Sequence, residues 1–402
     1  DTMDHLAEVR PDANPADVNF ARSQIFVGLG ELEQAFEYAR RAVEAAPDRP
    51  ELLTWTGRIA LNLELTGTGI EYIRRAWELD PDNHDLALGY ADLLARNGEE
   101  ERARKVMQEM PQTPDVMLSR ILFELAAKNR PDAEALFNDF ADFEWDDKSE
   151  KSFYQAQAAE ALGMSRQAIA YYEQVTEGER ALASSLRRAE LIALGGDMDS
   201  ARAELEGLRK NGADPRTQEQ SWLAEARILR EAGDREEAFN VLDRAVSEFP
   251  ASVPLLYSRS LLAAELGRVD VAERDLRTII AAQPENAAAL NALGYTLADQ
   301  TERFEEAEAL IRQAFILQPE EPSIVDSMGW IAYRQGRMAE AEEFLVKAWG
   351  LDRNPEIAAH LGEVLWVVGK QDEARRIWRQ GVEVDSDNPV LVETLERLGV
   401  DL

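Results

Sequence analysis

Cysteine is absent from the 402 residues, and histidine occurs three times. Without cysteine the chain can form neither disulfides nor thiolate metal sites, and it has no thiol nucleophile. His5, His84 and His360 lie at unrelated positions, so they suggest neither a metal cluster nor the base of a catalytic triad. We interpret each histidine as a surface or interhelix residue.

Long apolar runs and nucleotide-binding loops are also missing. No apolar run reaches the roughly 18 residues that a membrane-spanning helix needs. The glycines of Gly67–Gly69 lack the third glycine and preceding strand of a dinucleotide loop, and no Gly-Lys-Ser/Thr motif follows a glycine cluster. Carboxylate pairs such as Glu305 and Glu306 are expected by chance among 77 acidic residues. We therefore predict no enzyme, no bound cofactor and no metal site.

Basic residues are far fewer than acidic ones. The chain has 44 basic and 77 acidic residues, a net charge of -33. This charge repels phosphate backbones and anionic lipid head groups, so nucleic acid is not expected as a partner. Two interpretations of the acidity stay open, a solvated outer face that keeps the protein soluble and steering towards a basic partner.

Small residues recur with a period near 34. They allow two helices to cross closely, because a bulky side chain would force the axes apart. The first row of small residues comprises Ala35, Gly69, Ala103, Ala135, Ala168, Ala201, Ala238, Ala272, Ala307, Ala341 and Ala374. This period predicts about eleven successive helix pairs.

A second row lies twelve or thirteen residues before the first, on the preceding helix of each pair. Its members are Ser23, Gly57, Ala91, Ala156, Ala189, Ala226, Ser260, Gly294, Gly329 and Gly362. The row is interrupted around Leu122, where the side chains are bulky. We therefore predict that the fourth repeat, near residues 115–148, is degenerate.

Glycines between the paired helices support the same register, because a left-handed residue ends a helix without steric cost. The repeats, such as LNALGYTLADQTERFEEAEALIRQAFILQPEE at residues 290–321, resemble tetratricopeptide repeats. The resemblance implies an all-α fold, a right-handed superhelical solenoid of about eleven helix pairs. We expect an N-terminal helix or remnant at 1–15, the repeats at 16–388 and a capping helix at 389–402.

In this family the first helix of each pair lines the concave groove. Positions three before, one after, four after and five after the small residue point into that groove. Tyrosine and tryptophan are frequent binding anchors, although Trp330 and Trp366 could instead pack against the next repeat. The positions predicted to bind a partner in the last three repeats are Asn291, Tyr295, Asp326, Trp330, Tyr333, Arg334, Glu363 and Trp366.

The C-terminal third carries a narrower resemblance. The segments PSIVDSMGWIAYRQGRMAEAEEFLVKAW and PEIAAHLGEVLWVVGKQDEARRIWRQG are similar to the tetratricopeptide lipoproteins of Gram-negative outer membranes. The whole chain resembles the lipoprotein adaptors of periplasmic carboxyl-terminal processing proteases. The resemblance implies a periplasmic scaffold, tethered to the outer membrane, that binds the serine protease and its peptidoglycan hydrolase substrates and promotes their proteolysis.

One alternative of a different class stays open, a structural assembly factor for another envelope complex such as polysaccharide export. The chain starts at Asp1, so we expect a processed or trimmed product. Contact with the membrane is then expected only through a lipid anchor upstream of this chain.

Overall fold

The computed structural model describes residues 14–210 and 214–402. Within these residues the regular structure is helical, and 23 helices pack in adjacent pairs. The prediction of an all-α array of helix pairs is confirmed. The chain divides into two compact units, Asp1–Gly195 and Gly196–Leu402, and each is described by itself.

The described residues of the first unit form helices α1 to α11. Their bounds are α1 Pro15–Gly28, α2 Leu32–Ala45, α3 Pro50–Asn62, α4 Thr66–Leu79, α5 His84–Arg96, α6 Glu100–Glu109, α7 Pro114–Ala126, α8 Arg130–Asp142, α9 Lys148–Ala161, α10 Ser165–Tyr172 and α11 Ala181–Leu194. Each odd-numbered helix from α1 to α9 packs against its successor.

The described residues of the second unit form helices α12 to α23. Their bounds are α12 Met198–Lys210, α13 Pro215–Glu231, α14 Arg235–Glu248, α15 Val253–Glu265, α16 Val269–Ala282, α17 Ala287–Gln300, α18 Phe304–Leu317, α19 Pro322–Arg334, α20 Met338–Leu351, α21 Pro355–Val367, α22 Gln371–Val384 and α23 Pro389–Leu398. Here too each odd-numbered helix from α13 to α21 packs against its successor, and these odd-numbered helices are the first helices of the repeats.

The small residues lie where the paired helices cross. A Cβ atom added at Gly57 would lie 3.1 Å from the carbonyl oxygen of Gly69, and one added at Gly69 would lie 3.1 Å from that of Gly57. At Gly294 the added atom would be 2.9 Å from the carbonyl oxygen of Ala307. These contacts explain the period, because any larger side chain would push the pair apart.

The turns within pairs use left-handed backbone conformations. Glycines occupy most of these positions, for example Gly30 with φ 76° and Gly369 with φ 87°. Glu64 and Lys128 adopt the same conformation in the second and fourth repeats, with φ 60° and 59°. The turn geometry therefore persists where its preferred residue is missing, at a cost in backbone strain.

The fourth repeat corrects the predicted register. Ala135 is exposed, whereas Ala133, two residues earlier, is fully buried and belongs to the core of the pair. The residue twelve positions before Ala133 is Ile121, which is also fully buried, while Leu122 is exposed. The predicted interval of 32 residues from Ala103 to Ala135 was thus wrong here, because a shorter α6 and the Pro111–Pro114 linker bring α7 and α8 forward, so that Ala133 lies at the crossing.

Arg120 explains how this irregular junction is stabilised. Arg120 is 9% exposed, and its guanidinium donates hydrogen bonds to the carbonyl oxygens of Met107, Gln108 and Met110 at 2.8, 3.3 and 3.1 Å. These carbonyls end α6, where helices leave their last acceptors unpaired. One buried cation on α7 therefore caps the preceding helix.

Two predicted segments lie at the ends of the chain. Of the predicted N-terminal helix or remnant at 1–15, residues 1–13 lie outside the described residues, and Pro15 begins α1. In the segment predicted to cap the array, α23 packs against α21 and α22 and ends at Gly399, whose φ is 63°. Leu391 and Val400 join the apolar core there.

Candidate interaction site on the first helices of the last repeats

Helices α17, α19 and α21 are the first helices of three successive repeats and lie side by side. The eight residues predicted to bind a partner all belong to these helices. Their side chains form two groups, one centred on His360 and one on Glu363, with the remaining residues at the edges of these groups.

The first group is a polar cluster, which we call the His360 cluster. It consists of the buried residues Asp326, Trp330 and His360 and the partly exposed residues Tyr295 and Glu356. The Nδ1 atom of His360 lies 2.8 Å from Oδ2 of Asp326, and the Nε2 atom lies 3.3 Å from the hydroxyl of Tyr295. The ring of Trp330 stacks on the imidazole with centroids 4.2 Å apart. His360 is 1% exposed. The cluster therefore joins three successive repeats through polar contacts.

The ionisable groups of the His360 cluster shift one another's pKa. Burial lowers the pKa of His360, but the charge of Asp326 and its hydrogen bond outweigh burial and raise the pKa to about 9. Burial also raises the pKa of Glu356, which hydrogen-bonds to Tyr295. A protonated His360 can donate from Nδ1 to Asp326 and from Nε2 to Tyr295, whose hydroxyl then donates to Glu356.

The second group centres on Glu363, which is 2% exposed. Its Oε1 accepts a hydrogen bond from the hydroxyl of Tyr333 at 2.9 Å, and its Oε2 accepts one from Arg397 of α23 at 2.6 Å. Burial, followed by the charge of Glu363, raises the pKa of Tyr333 to about 12. Glu363 therefore links α19 to the C-terminal helix.

The remaining predicted residues lie at the edges of these groups. Arg334 donates to the carbonyl oxygen of Asp299 at 2.7 Å. The ring of Trp366 lies 5.6 Å from that of Trp378. Asn291 lies partly buried on α17, with an amide contact of 3.5 Å to the carbonyl oxygen of Ser323.

Burial divides the predicted residues into two classes. Asp326, Trp330 and Glu363 are 5%, 7% and 2% exposed, so they offer little surface to a partner. Asn291, Tyr295, Tyr333, Arg334 and Trp366 are partly exposed. The role of all eight in binding a partner stays a prediction, and the accessible residues are the ones to test.

Sequence reasoning assigned His360 only a surface or interhelix position, and it did not single out Glu356 or Arg397. His360 lies two residues before the small residue Gly362, in the apolar sequence PEIAAHLGEVLW. A histidine surrounded by apolar residues on a helix that packs on both sides is a signal of a buried polar contact. Its partner, Asp326, is 34 residues away, and sequence alone did not reveal the pair.

In residues 14–210 and 214–402, no group of three or more histidine, aspartate or glutamate side chains is placed to hold a metal ion. Over the same ranges, each helix is too short or too polar to cross a lipid bilayer.

Sequence models of the tetratricopeptide repeat match residues 16–49, 67–116, 152–177, 223–276, 257–322 and 297–352. The chain is a tetratricopeptide-repeat protein. This family consists of repeat scaffolds that typically lack catalytic activity, and its repeats indicate protein partners.

Two curated proteins illustrate the similarity. A TPR repeat-containing protein of Pseudomonas aeruginosa is 34% identical over 213 residues, which are 52% of this chain and 35% of that protein. A BBSome complex member of Bos taurus is 30% identical over 76 residues, 19% of this chain and 15% of that protein. The matched parts thus span about a third or less of these relatives.

Among solved structures, a tetratricopeptide repeat protein from Parabacteroides merdae aligns with a TM-score of 0.50 at 15% identity. The alignment covers 62% of this chain and 98% of that chain. At this level of identity the similarity supports the fold alone.

Proposed function

We propose that this protein is a non-catalytic adaptor that binds a periplasmic carboxyl-terminal processing serine protease and its cell-wall hydrolase substrates. By holding protease and substrate together, it would raise their effective concentration and promote proteolysis without contributing to bond cleavage. The resemblance of the whole chain to the lipoprotein adaptors of such proteases supports this partner class.

The observation that carries the proposal is the partly exposed set Tyr333, Arg334 and Trp366 on α19 and α21. The side chain of Arg334 is 26% exposed, and the aromatic rings lie on packed helices. Rigid aromatic side chains bury much area at small entropic cost, and arginine is enriched with them at binding hot spots. Adjacent repeats therefore offer anchors to a polypeptide partner.

The direct test is a reconstituted cleavage assay. The purified chain should show no peptidase activity, yet its addition to the protease should accelerate cleavage of a hydrolase substrate. Unchanged turnover at saturating amounts of the chain would refute the proposal.

Two variants then test the surface. R334A and W366A should weaken protease binding and reduce the acceleration. R312A is the matched control, because Arg312 is 51% exposed on α18, a second helix. Circular dichroism checks that each variant is folded. If folded R334A and W366A still accelerate cleavage fully, this surface does not bind the protease. The adaptor role itself would then still be decided by the cleavage assay.

We also propose that the protein works in the periplasm, tethered to the outer membrane. The resemblance to lipoproteins supports this location. Metabolic labelling of the full-length protein with a radioactive fatty acid, followed by membrane fractionation, tests it. Capture from envelope extract that recovers a polysaccharide-export component and no protease would instead favour the structural assembly role.

A further inference from the structure

The first unit contains a groove between the end of α8 and the start of α9, which we call the Trp145 groove. Its volume is about 990 Å³, at the upper end of the range for ligand sites. The connecting segment DFEWDD at residues 142–147 lines it, together with Gln155 of α9 and Tyr171 of α10. The groove therefore lies where the fourth repeat meets the fifth.

The side chains of the groove carry an excess of negative charge. Two basic residues line it, Lys148 and Lys151, and Lys151 already donates to the carbonyl oxygen of Ala141 at 3.0 Å. The five acidic residues of the lining are Asp142, Glu144, Asp146, Asp147 and Glu150. These carboxylates are not placed to hold a metal ion. The groove therefore attracts a larger cationic group.

Three of the carboxylates are accessible and unpaired. Asp142, Glu144 and Asp146 are exposed, and none of them forms an ion pair with another residue in the part of the chain that the structure describes. Elsewhere in this protein arginines pair with many of the surface carboxylates, for example Arg130 with Glu134 at 2.7 Å. A cation from outside can therefore reach these three without displacing a cation of the chain itself.

An aromatic surface lies among these carboxylates. The rings of Phe143 and Trp145 stack with centroids 5.9 Å apart and an angle of 24° between their planes. The indole N–H of Trp145 donates to Oε2 of Glu150 at 2.8 Å, which fixes the ring, and the residue stays partly exposed. A cation over the face of a tryptophan ring is attracted by its π electrons.

Gln155 adds a hydrogen-bond acceptor that lacks a donor. The residue is 4% exposed, and its Nε2 donates to the carbonyl oxygen of Phe140 at 3.0 Å. Its Oε1 accepts no hydrogen bond from the residues described in the structure, and it is not sealed from solvent. Polar groups at buried residues are nearly always paired, so an N–H group of a ligand would satisfy this oxygen.

Arg180, beside the groove, shows how this part of the chain holds a guanidinium. Its guanidinium carbon lies 4.7 Å from the ring centroid of Tyr154 and 4.9 Å from that of Phe153, and it pairs with Glu150 at 3.3 Å. The Trp145 groove offers the same combination of ring and carboxylate. A guanidinium fits this combination better than an ammonium, because it is planar and can donate to a carboxylate through two N–H groups.

We propose that the Trp145 groove binds an arginine side chain of a partner polypeptide. The guanidinium stacks on the ring of Trp145. Its N–H groups donate to Oε1 of Gln155 and to the exposed carboxylates. The groove lies in the first unit, whereas the surface on α19 and α21 lies in the second, so this site does not depend on the proposed protease partner.

Peptide titrations test the proposal. The probes are Ac-Gly-Arg-Gly-NH2, the lysine peptide Ac-Gly-Lys-Gly-NH2 and the uncharged Ac-Gly-Gln-Gly-NH2. The readout is the indole N–H resonance of Trp145 in the full chain labelled with ¹⁵N-tryptophan, assigned with W145F. Sodium chloride at about 0.15 M limits the reach of the overall charge to about 8 Å. We expect a saturable shift with the arginine peptide, a weaker affinity for the lysine peptide and no shift with the glutamine peptide.

Calorimetry with the arginine peptide tests the individual groups. D142N/D146N should weaken binding about fivefold through the loss of two exposed ion pairs. W145A should weaken it by a similar factor through the loss of the ring. D48N/D82N is the matched control, because it removes the same charge from two exposed residues of the first unit that do not line the groove. It should bind as the wild type does.

Four results would overturn the proposal. The first is an equal shift with the glutamine peptide. The second is unchanged affinity in D142N/D146N and W145A, both folded by circular dichroism, or an equal loss of affinity in D48N/D82N. The third is a lysine peptide that binds as tightly as the arginine peptide. The fourth is tighter binding of Ca²⁺ than of the arginine peptide, because the carboxylates would then serve a metal ion.

Discussion

Replacing His360 with glutamine removes a buried positive charge from between α19 and α21. Glutamine retains a hydrogen-bonding side chain but cannot pair its charge with Asp326. The pKa of His360 rises from 6.5 to about 9 in the folded chain. At roughly 1.4 kcal/mol per pH unit, this difference corresponds to about 3 kcal/mol of stability.

The pH dependence has a defined sign. A histidine whose folded pKa lies above its unfolded pKa contributes its full stabilisation below pH 6.5 and loses it as the pH rises through about 9. The groups that face it are Asp326, Glu356, Asp299 and Tyr295. Glu356, whose pKa is raised by burial, destabilises the fold as the pH rises above 4.5, and the charge of His360 opposes this effect in the wild type but not in the variant.

The assay is urea unfolding followed by circular dichroism at pH 6.0, 7.5 and 9.5. We expect H360Q to unfold at a clearly lower urea concentration than the wild type at pH 6.0, with a gap that narrows sharply by pH 9.5. H84Q is the matched control, because His84 is the partly exposed first residue of α5. It should leave the unfolding curves nearly unchanged.

A direct titration complements the unfolding data. The chain has three histidines, so selective ¹³C labelling of histidine gives few NMR signals, and H360Q assigns the buried one. Its midpoint should lie near pH 9. A midpoint below 6.5, or a stability loss in H360Q that is the same at pH 6.0 and 9.5, would refute the reasoning.

Three further substitutions test the packing and a buried ion pair. G362A should lower the free energy of unfolding of the second unit by about 1–3 kcal/mol or more, the usual cost of overpacking, because the new Cβ would lie 2.1 Å from Nε1 of the fully buried Trp378. G350A is the contrast, because Gly350 lies in open space on α20. In the same urea experiment G350A should stabilise the protein by about 0.5–1 kcal/mol. D275A should cost about 3–5 kcal/mol, because the buried Arg259 loses its contacts at 2.7 and 2.8 Å and keeps only the exposed carboxylate of Asp243 as a partner. A loss below about 1 kcal/mol, typical of exposed pairs, would contradict this.

Much of the repeat architecture could be predicted from sequence, because the points where paired helices cross accept only small side chains. Where Gly57 and Gly69 face each other, each backbone occupies the space that the other's Cβ would need. The fourth repeat was harder. Because Ile121 lies at the crossing, no second small residue marks the register of this repeat. Spacing alone therefore favours Ala135, although Ala133 is the buried residue.

The candidate site was less predictable than the fold. Register placed Trp330 and Tyr333 on the correct helix, but it could not tell which side of that helix the next repeat covers. In the structure, the ring of Trp330 stacks on His360 of the following repeat, whereas Tyr333 stays partly exposed. Exposure depends on the neighbour's side chains, and these lie about one repeat away in sequence.

The sequence by itself determined the helix pairs, their turns and the acidic, cysteine-free surface chemistry, because these follow from local sterics and composition. Only the tertiary structure decided which polar groups pair. It brought His360 to Asp326 and Arg180 to Glu150. The physical reason is that a buried charge is stabilised by the side chains around it. In an array of repeats these side chains come from several helices that are distant in sequence.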